Sequence, residues 1–172
     1  MATEKEIITL SASQMAGFKL PRWRDLPDLD IYMDQLISLI SKYFRDYPGY
    51  EEKSLTSSMV NNYVKQGIIP APVSKKYNRV HLAALIVIII LKSSIPIARV
   101  GEVISEGLGA EESPEVLFDL FCDSFEKTCK SVADAALSRA EKDSSLSRTI
   151  AVAAIKSSAE QSLALDLIAN KG

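Results

Sequence analysis

The chain has 172 residues, 47% of them hydrophobic and 24% charged, with only seven glycines and seven prolines; this composition fits a folded, mostly regular protein, and disorder is not the default expectation for it. The first twenty residues mix Glu4, Lys5 and Glu6 with a short apolar patch, and the longest apolar run, residues 82–91, is ten residues long, where about 18 are needed to cross a bilayer. Two cysteines and one histidine cannot build a disulfide framework, so the expectation is a cytoplasmic chain without leader or membrane anchor, its mature form beginning near Met1.

Residues 1–19 show no sustained period and read as a loosely ordered lead-in. Beyond them two prolines suit an extended entry, and Asp28 or Asp30 can cap a helix over about 29–45. Leu29, Tyr32, Met33, Leu36, Ile37, Ile40, Tyr43 and Phe44 share one face of it. Pro48 and Gly49 stop it. Ser54 or Thr56 can cap a short helix ending before Gly67, a residue suited to the left-handed position past a helix terminus. Val60, Tyr63 and Val64 fall on one side of this helix, and Ser57, Ser58, Asn61, Asn62 and Lys65 on the other. "PAPVSKKY" is extended, because each residue before a proline is pushed out of the helical region.

Asn78 can cap an apolar helix running to Lys92. Its five β-branched residues, 86–90, would equally suit a buried strand, and length with Ala83 and Ala84 favours helix. Helix resumes after Pro96, with Ile97, Val100, Val103 and Ile104 inward. Ser113, Pro114 and Glu115 form a helix start with a cap, a proline in first position and an acid in the first turn. That helix carries Leu117, Leu120, Phe121, Phe125, Val132, Ala136 and Leu137 over about seven turns. A last helix, about 147–170, carries Ile150, Ala154, Leu163 and Leu167, and the two long helices read as a helical hairpin.

The formal net charge is −2, but the charge is unevenly placed. Residues 53–99 hold seven basic groups (Lys53, Lys65, Lys75, Lys76, Arg79, Lys92, Arg99) and no acid, whereas residues 1–52 hold nine acids against six bases and residues 100–172 thirteen against seven. A basic middle in an acidic body is either a solvated patch or a surface for a polyanion, most often nucleic acid. Catalytic chemistry finds no footing: nucleophile, base and orienting group cannot be assembled, no phosphate-loop glycine pattern occurs, and acid clusters sit at helix starts, where they complement the helix dipole. Cys122 and Cys129, seven apart on one helix, are about 10 Å apart along its axis, too far for one metal ion. His81 is read as a capping or packing residue. No metal or cofactor is expected, and the chain is not expected to be an enzyme.

Taken in order, a polar-faced helix, Gly67, a proline-containing basic hairpin, Tyr77, a buried helix and a further short helix resemble the winged helix-turn-helix of the MerR family over residues 55–104. "NNYVKQGII" matches at Tyr63, Gly67 and Ile68, "KKYNRVHL" matches at Lys75, Tyr77 and Leu82, and "IPIARVGEVI" looks like the family's next helix. Asn61 stands where MerR relatives usually carry an arginine, and residues 46–55 replace a tight turn. "LPRWRDLPDLDIYMDQ" together with "VNNYVKQGIIPAPVSKKYNRVHLA" is similar to an uncharacterised bacterial family, the domain of unknown function numbered 1836, described as MerR-like, over about residues 20–104.

The resemblance implies an all-α protein with a small β-hairpin wing: a winged helix-turn-helix domain over 20–109, followed by a C-terminal helical dimerisation or effector region over 110–172. It implies a sequence-specific transcriptional regulator, cytoplasmic and nucleoid-associated, that binds double-stranded DNA as a homodimer. Asn61, Asn62 and Lys65, flanked by Ser57 and Ser58, would face the bases, and Lys75, Lys76 and Arg79 the phosphates. Trp23, Tyr63, Gly67, Tyr77 and Leu82 would be structural. The C-terminal hairpin has room for a small-molecule effector, although no residue there identifies one. A second reading keeps the scaffold and makes it a protein-docking module that does not bind DNA.

Overall fold

The computed structural model describes residues 2–51 and 54–171. Among the described residues the chain forms seven α-helices: α1 (Glu4–Gly17), α2 (Met33–Phe44), α3 (Ser57–Lys65), α4 (Arg79–Leu91), α5 (Ile97–Leu108), α6 (Pro114–Lys142) and α7 (Leu146–Ala169), with a 3-10 turn at Trp23–Asp25. They divide between two compact units. One holds Leu20–Arg45 and Gly49–Asp123; the other gathers α1, residues 46–48 and the chain from Ser124 onward.

The unit containing α2 to α5 is built around α4, which packs on both α2 and α5, while α2 also packs on α3. Position explains the β-branched run. Eight residues of α4, from His81 to Ile89, are buried, and a helix that is apolar all round is stable only when surrounded. Tertiary burial here outweighs the weak helix preference of isoleucine and valine. Leu36, Ile40 and Phe44 of α2 and Val100 of α5 have essentially no exposure in this core, and neither has Val60 of α3, the helix that packs on α2. Gly101 of α5 lies where a Cβ would meet Ile68 Cγ1 at 3.2 Å, so the absent side chain lets the segment after α3 pack close.

The β-hairpin wing expected over "PAPVSKKY" is not formed. Among the described residues there is no strand; the segment holds only two isolated antiparallel bridges, Val73 with Lys76 and Ile31 with Tyr77. The Lys76 N–H donates to the Val73 carbonyl at 2.9 Å, closing a two-residue turn. Tyr77 then leaves the turn and exchanges both backbone bonds with Ile31, at 2.9 and 2.8 Å. A ladder cannot lengthen past that switch of partner, and Pro70 and Pro72 lack the N–H groups a second strand would need.

In the other unit, the lead-in expected over residues 1–19 is largely helix. Thr3 and Glu6 form a reciprocal cap: the Glu6 N–H donates to Thr3 Oγ1 at 3.2 Å and the Thr3 N–H to Glu6 Oε2 at 2.7 Å. Ile8 and Ala12, one turn apart, are its buried residues. Phe18, Tyr47 and Phe125 cluster, with ring centroids 4.9 to 6.3 Å apart, and Lys19 pairs with the buried Glu126 at 2.8 Å. Both long C-terminal helices exist, joined through residues 143–145. The main partner of α7 is α1, joined also by the Leu146 N–H donating to Glu4 Oε2 at 3.0 Å. None of α7's residues is buried, and Ile150, Ile155, Leu163 and Leu167 stand exposed.

Candidate nucleic-acid interface

Helix α3 is fixed at both ends. Thr56 caps it, its Oγ1 accepting from the Met59 N–H at 3.3 Å, and Leu55 just before the cap is 2% exposed. Gly67, at φ +70°, reverses the chain so that its N–H reaches the Val64 carbonyl (3.0 Å) and the Ile68 N–H reaches the Tyr63 carbonyl (2.9 Å). Carbonyls at the helix end are thereby satisfied, and buried Ile68 and Ile69 anchor the chain as it leaves the helix. Val60 and Tyr63 face inward, burial raising the Tyr63 pKa above the usual phenol value.

The opposite face presents Ser57, Ser58, Asn61, Asn62 and Lys65, all exposed. It carries no acid. The Asn61 amide takes no hydrogen-bond partner among the described residues, while Asn62 Oδ1 accepts from Gln66 Nε2 at 3.3 Å. Both asparagines keep amide groups turned to solvent on a helix that packing holds still.

The turn after α3 is the second feature. Ser74 and Lys75 have φ of 50° and 63°, the left-handed region that costs an L-residue about 1–2 kcal/mol. Glycine or asparagine usually occupies such a turn. Serine and lysine occupy it here, and Lys75 projects from it exposed. The Lys76 ammonium lies 5.4 Å from the centroid of the Tyr32 ring, close enough for a cation–π contact.

The structure also shows where the basic middle is used up. The Arg79 guanidinium turns into the fold: Nε and Nη2 donate to the Leu26 carbonyl at 3.2 and 3.0 Å, Asp28 lies 3.5 Å away, and the Trp23 ring centroid is 5.7 Å from its central carbon. Arg79 is therefore a brace between α4 and the entry segment, and the expectation that it faces phosphate meets a group already occupied. Lys92 donates to the Ser54 carbonyl, and burial lowers its pKa. Arg99 pairs with Glu102 at 2.6 Å. Lys53 lies outside the described residues. Lys65, Lys75 and Lys76 are left as the members of the run with no acidic partner among the described residues.

Tyr77 is buried and bridges to Ile31, Leu82 is 1% exposed in α4, and the Trp23 backbone N–H donates to Asp119 Oδ1 at 2.8 Å. His81 closes the α4 cap. Asn78 Oδ1 accepts from the Val80 and His81 N–H groups, and His81 Nδ1 accepts from the Asn78 N–H at 3.1 Å. Its Nε2 is buried without a hydrogen-bond partner, and burial lowers its pKa, opposed in part by the nearby Pro70 and Ala71 carbonyls and the Asp30 charge. Cys122 and Cys129 are buried thiols, one in each unit. Among the described residues no cluster of three metal-ligating side chains occurs, and no helix is long and apolar enough to cross a membrane.

No curated protein and no solved structure matches the chain. A family match covers residues 21–125, which takes in α2 to α5, the strained turn and the start of α6. The chain belongs to the family described as Domain of unknown function (DUF1836).

Proposed function

We propose that the protein is a sequence-specific DNA-binding transcriptional regulator, MerR-like in its reading helix, with α3 entering the major groove and the turn at residues 73–76 meeting the backbone. The observation that carries this reading is the exposed face of α3: two serines, two asparagines and one lysine, without an acid, on a helix capped and anchored at both ends. Asparagine can bond both the N6 and N7 edge atoms of adenine. Lysines contact phosphates, which position a protein without reading sequence. Lys65, Lys75 and Lys76 take that part, and Arg79 holds the scaffold.

A single short helix covers too little DNA to select a site in a genome, so the protein acts as a homodimer on paired half-sites. The exposed apolar residues of α7 supply a surface for the second copy. Such a protein works in the cytoplasm on the nucleoid. The protein-docking reading draws support from a different observation, that Arg79, Lys92 and Arg99 are engaged within the protein, so that less of the basic run faces solvent than the sequence suggests.

Selection of genomic fragments by the purified protein tests the proposal. Enrichment of a common site, with Asn61→Ala weakening that site more than random duplex, is the expected result. Failure to enrich any sequence overturns it in favour of protein docking.

A further inference from the structure

Between α4, α5 and the start of α6 lies a cavity of about 250 Å³, entirely within the unit that contains the reading helix. Small residues leave the space: Ala83 and Ala84 on α4 and Gly107 on α5. Aromatic rings wall it, Trp23 from the entry segment with Phe118 and Phe121 from α6. The Trp23 backbone N–H donates to Asp119 Oδ1 and its ring makes an edge contact with Phe118, centroids 6.3 Å apart, so this wall is set before any guest arrives.

The chemistry of the lining selects the guest. No lining residue is charged, and among their side chains the Trp23 indole N–H is the one hydrogen-bond donor. A peptide or a carboxylate would lose its hydration there with nothing to replace it. An apolar cavity of about 150 Å³ suffices for benzene, so this one has room for more than a single ring. We infer that the cavity is a binding site for an uncharged small molecule with one or two rings and at most one hydrogen-bond acceptor. It lies between α4, α5 and the start of α6, so that only the first turns of the 110–172 region, where the sequence left room for an effector, contribute to it. The inference does not depend on DNA binding.

The probe is 6-propionyl-2-(dimethylamino)naphthalene, an uncharged two-ring fluorophore with one carbonyl acceptor that brightens in apolar surroundings. Trp23 is the chain's sole tryptophan, so its quenching reports a probe bound near it, and the two cavity variants below separate this site from the exposed apolar residues elsewhere. The intact protein should bind one equivalent saturably, with Trp23 emission quenched in step. Gly107→Leu should fill the hollow: a Cβ there meets nothing nearer than Leu117 Cδ1 at 4.0 Å. This variant should keep its thermal transition and lose at least tenfold in affinity. Val103→Phe, at the half-exposed rim, gives an independent block should the first variant fold poorly. Absence of saturable quenching in the intact protein overturns the inference, as does wild-type affinity in either folded variant.

Discussion

Replacing Lys75 with glycine separates the two things that residue does. At φ 63° the lysine bears about 1–2 kcal/mol of left-handed strain, which glycine does not. Glycine also gives the unfolded chain more freedom, which takes back about 0.5–1 kcal/mol. The net expectation for Lys75→Gly is a gain of about 0.5–1 kcal/mol in stability, read as a higher urea midpoint with unchanged slope, followed by Trp23 fluorescence. In the same protein the salt dependence of DNA binding should become shallower by about 0.9 for each phosphate that is no longer neutralised. Lys75→Ala is the control: it keeps the strain and loses the charge, so the midpoint stays and the salt slope falls. A glycine variant that is less stable than wild type refutes the strain argument. A salt slope unchanged in both variants refutes the phosphate contact. A gain in stability coupled to a loss in binding is what strain maintained for function predicts.

Asn61→Ala should cost about 1–3 kcal/mol on the selected site and little on random duplex, measured by competition; equal loss on both removes the base contact. The His81 imidazole, the only one in the chain, should titrate by NMR below its ordinary value of 6.5, because burial is the dominant cause of its shift. A depressed pKa means the unfolded chain takes up the proton first, so His81's contribution is fully present above pH 6.5 and is lost as pH falls from there through the folded value. The slope is at most about 1.4 kcal/mol per pH unit, seen as the difference between wild type and His81→Gln, and a pKa at or above 6.5 contradicts it. Leu163→Lys, at an exposed position of α7, should leave folding intact and turn a sedimenting dimer into a monomer; an unaltered dimer places the interface elsewhere.

Much of the fold could be read from local signals. Asn78 caps α4 and Ser113 bonds the Val116 N–H at the start of α6, and Gly67 takes the left-handed position that its place after a polar-faced helix suggests. The signal for α1 is present as well, in the Thr3 to Glu6 spacing, but only Ile8 and Ala12 are buried along it, too few to produce a visible period. The false wing has a different origin. Proline, two lysines and a tyrosine suit a hairpin, and nothing local reveals that Tyr77 pairs with Ile31, far back in the chain. Arg79 and Lys92 are illegible for the same reason. Their acceptors are the backbone carbonyls of Leu26 and Ser54, 53 and 38 residues away, and a carbonyl leaves no trace in a sequence pattern. The polar outer face of α3 is legible because inward Val60 and Tyr63 fix by helical geometry which residues point outward.

The central claim is that this protein grips duplex DNA through a few lysines on the unit that carries α3. The most direct measurement is the affinity of the intact protein for its selected duplex as a function of salt. Three phosphates neutralised per protomer, by Lys65, Lys75 and Lys76, predict a slope of log K against log salt of about −2.7 for one protomer and about −5.4 for a dimer. That slope should become shallower when Lys75 and Lys76 are both replaced by alanine. A slope near zero, or one that ignores the double substitution, contradicts the account.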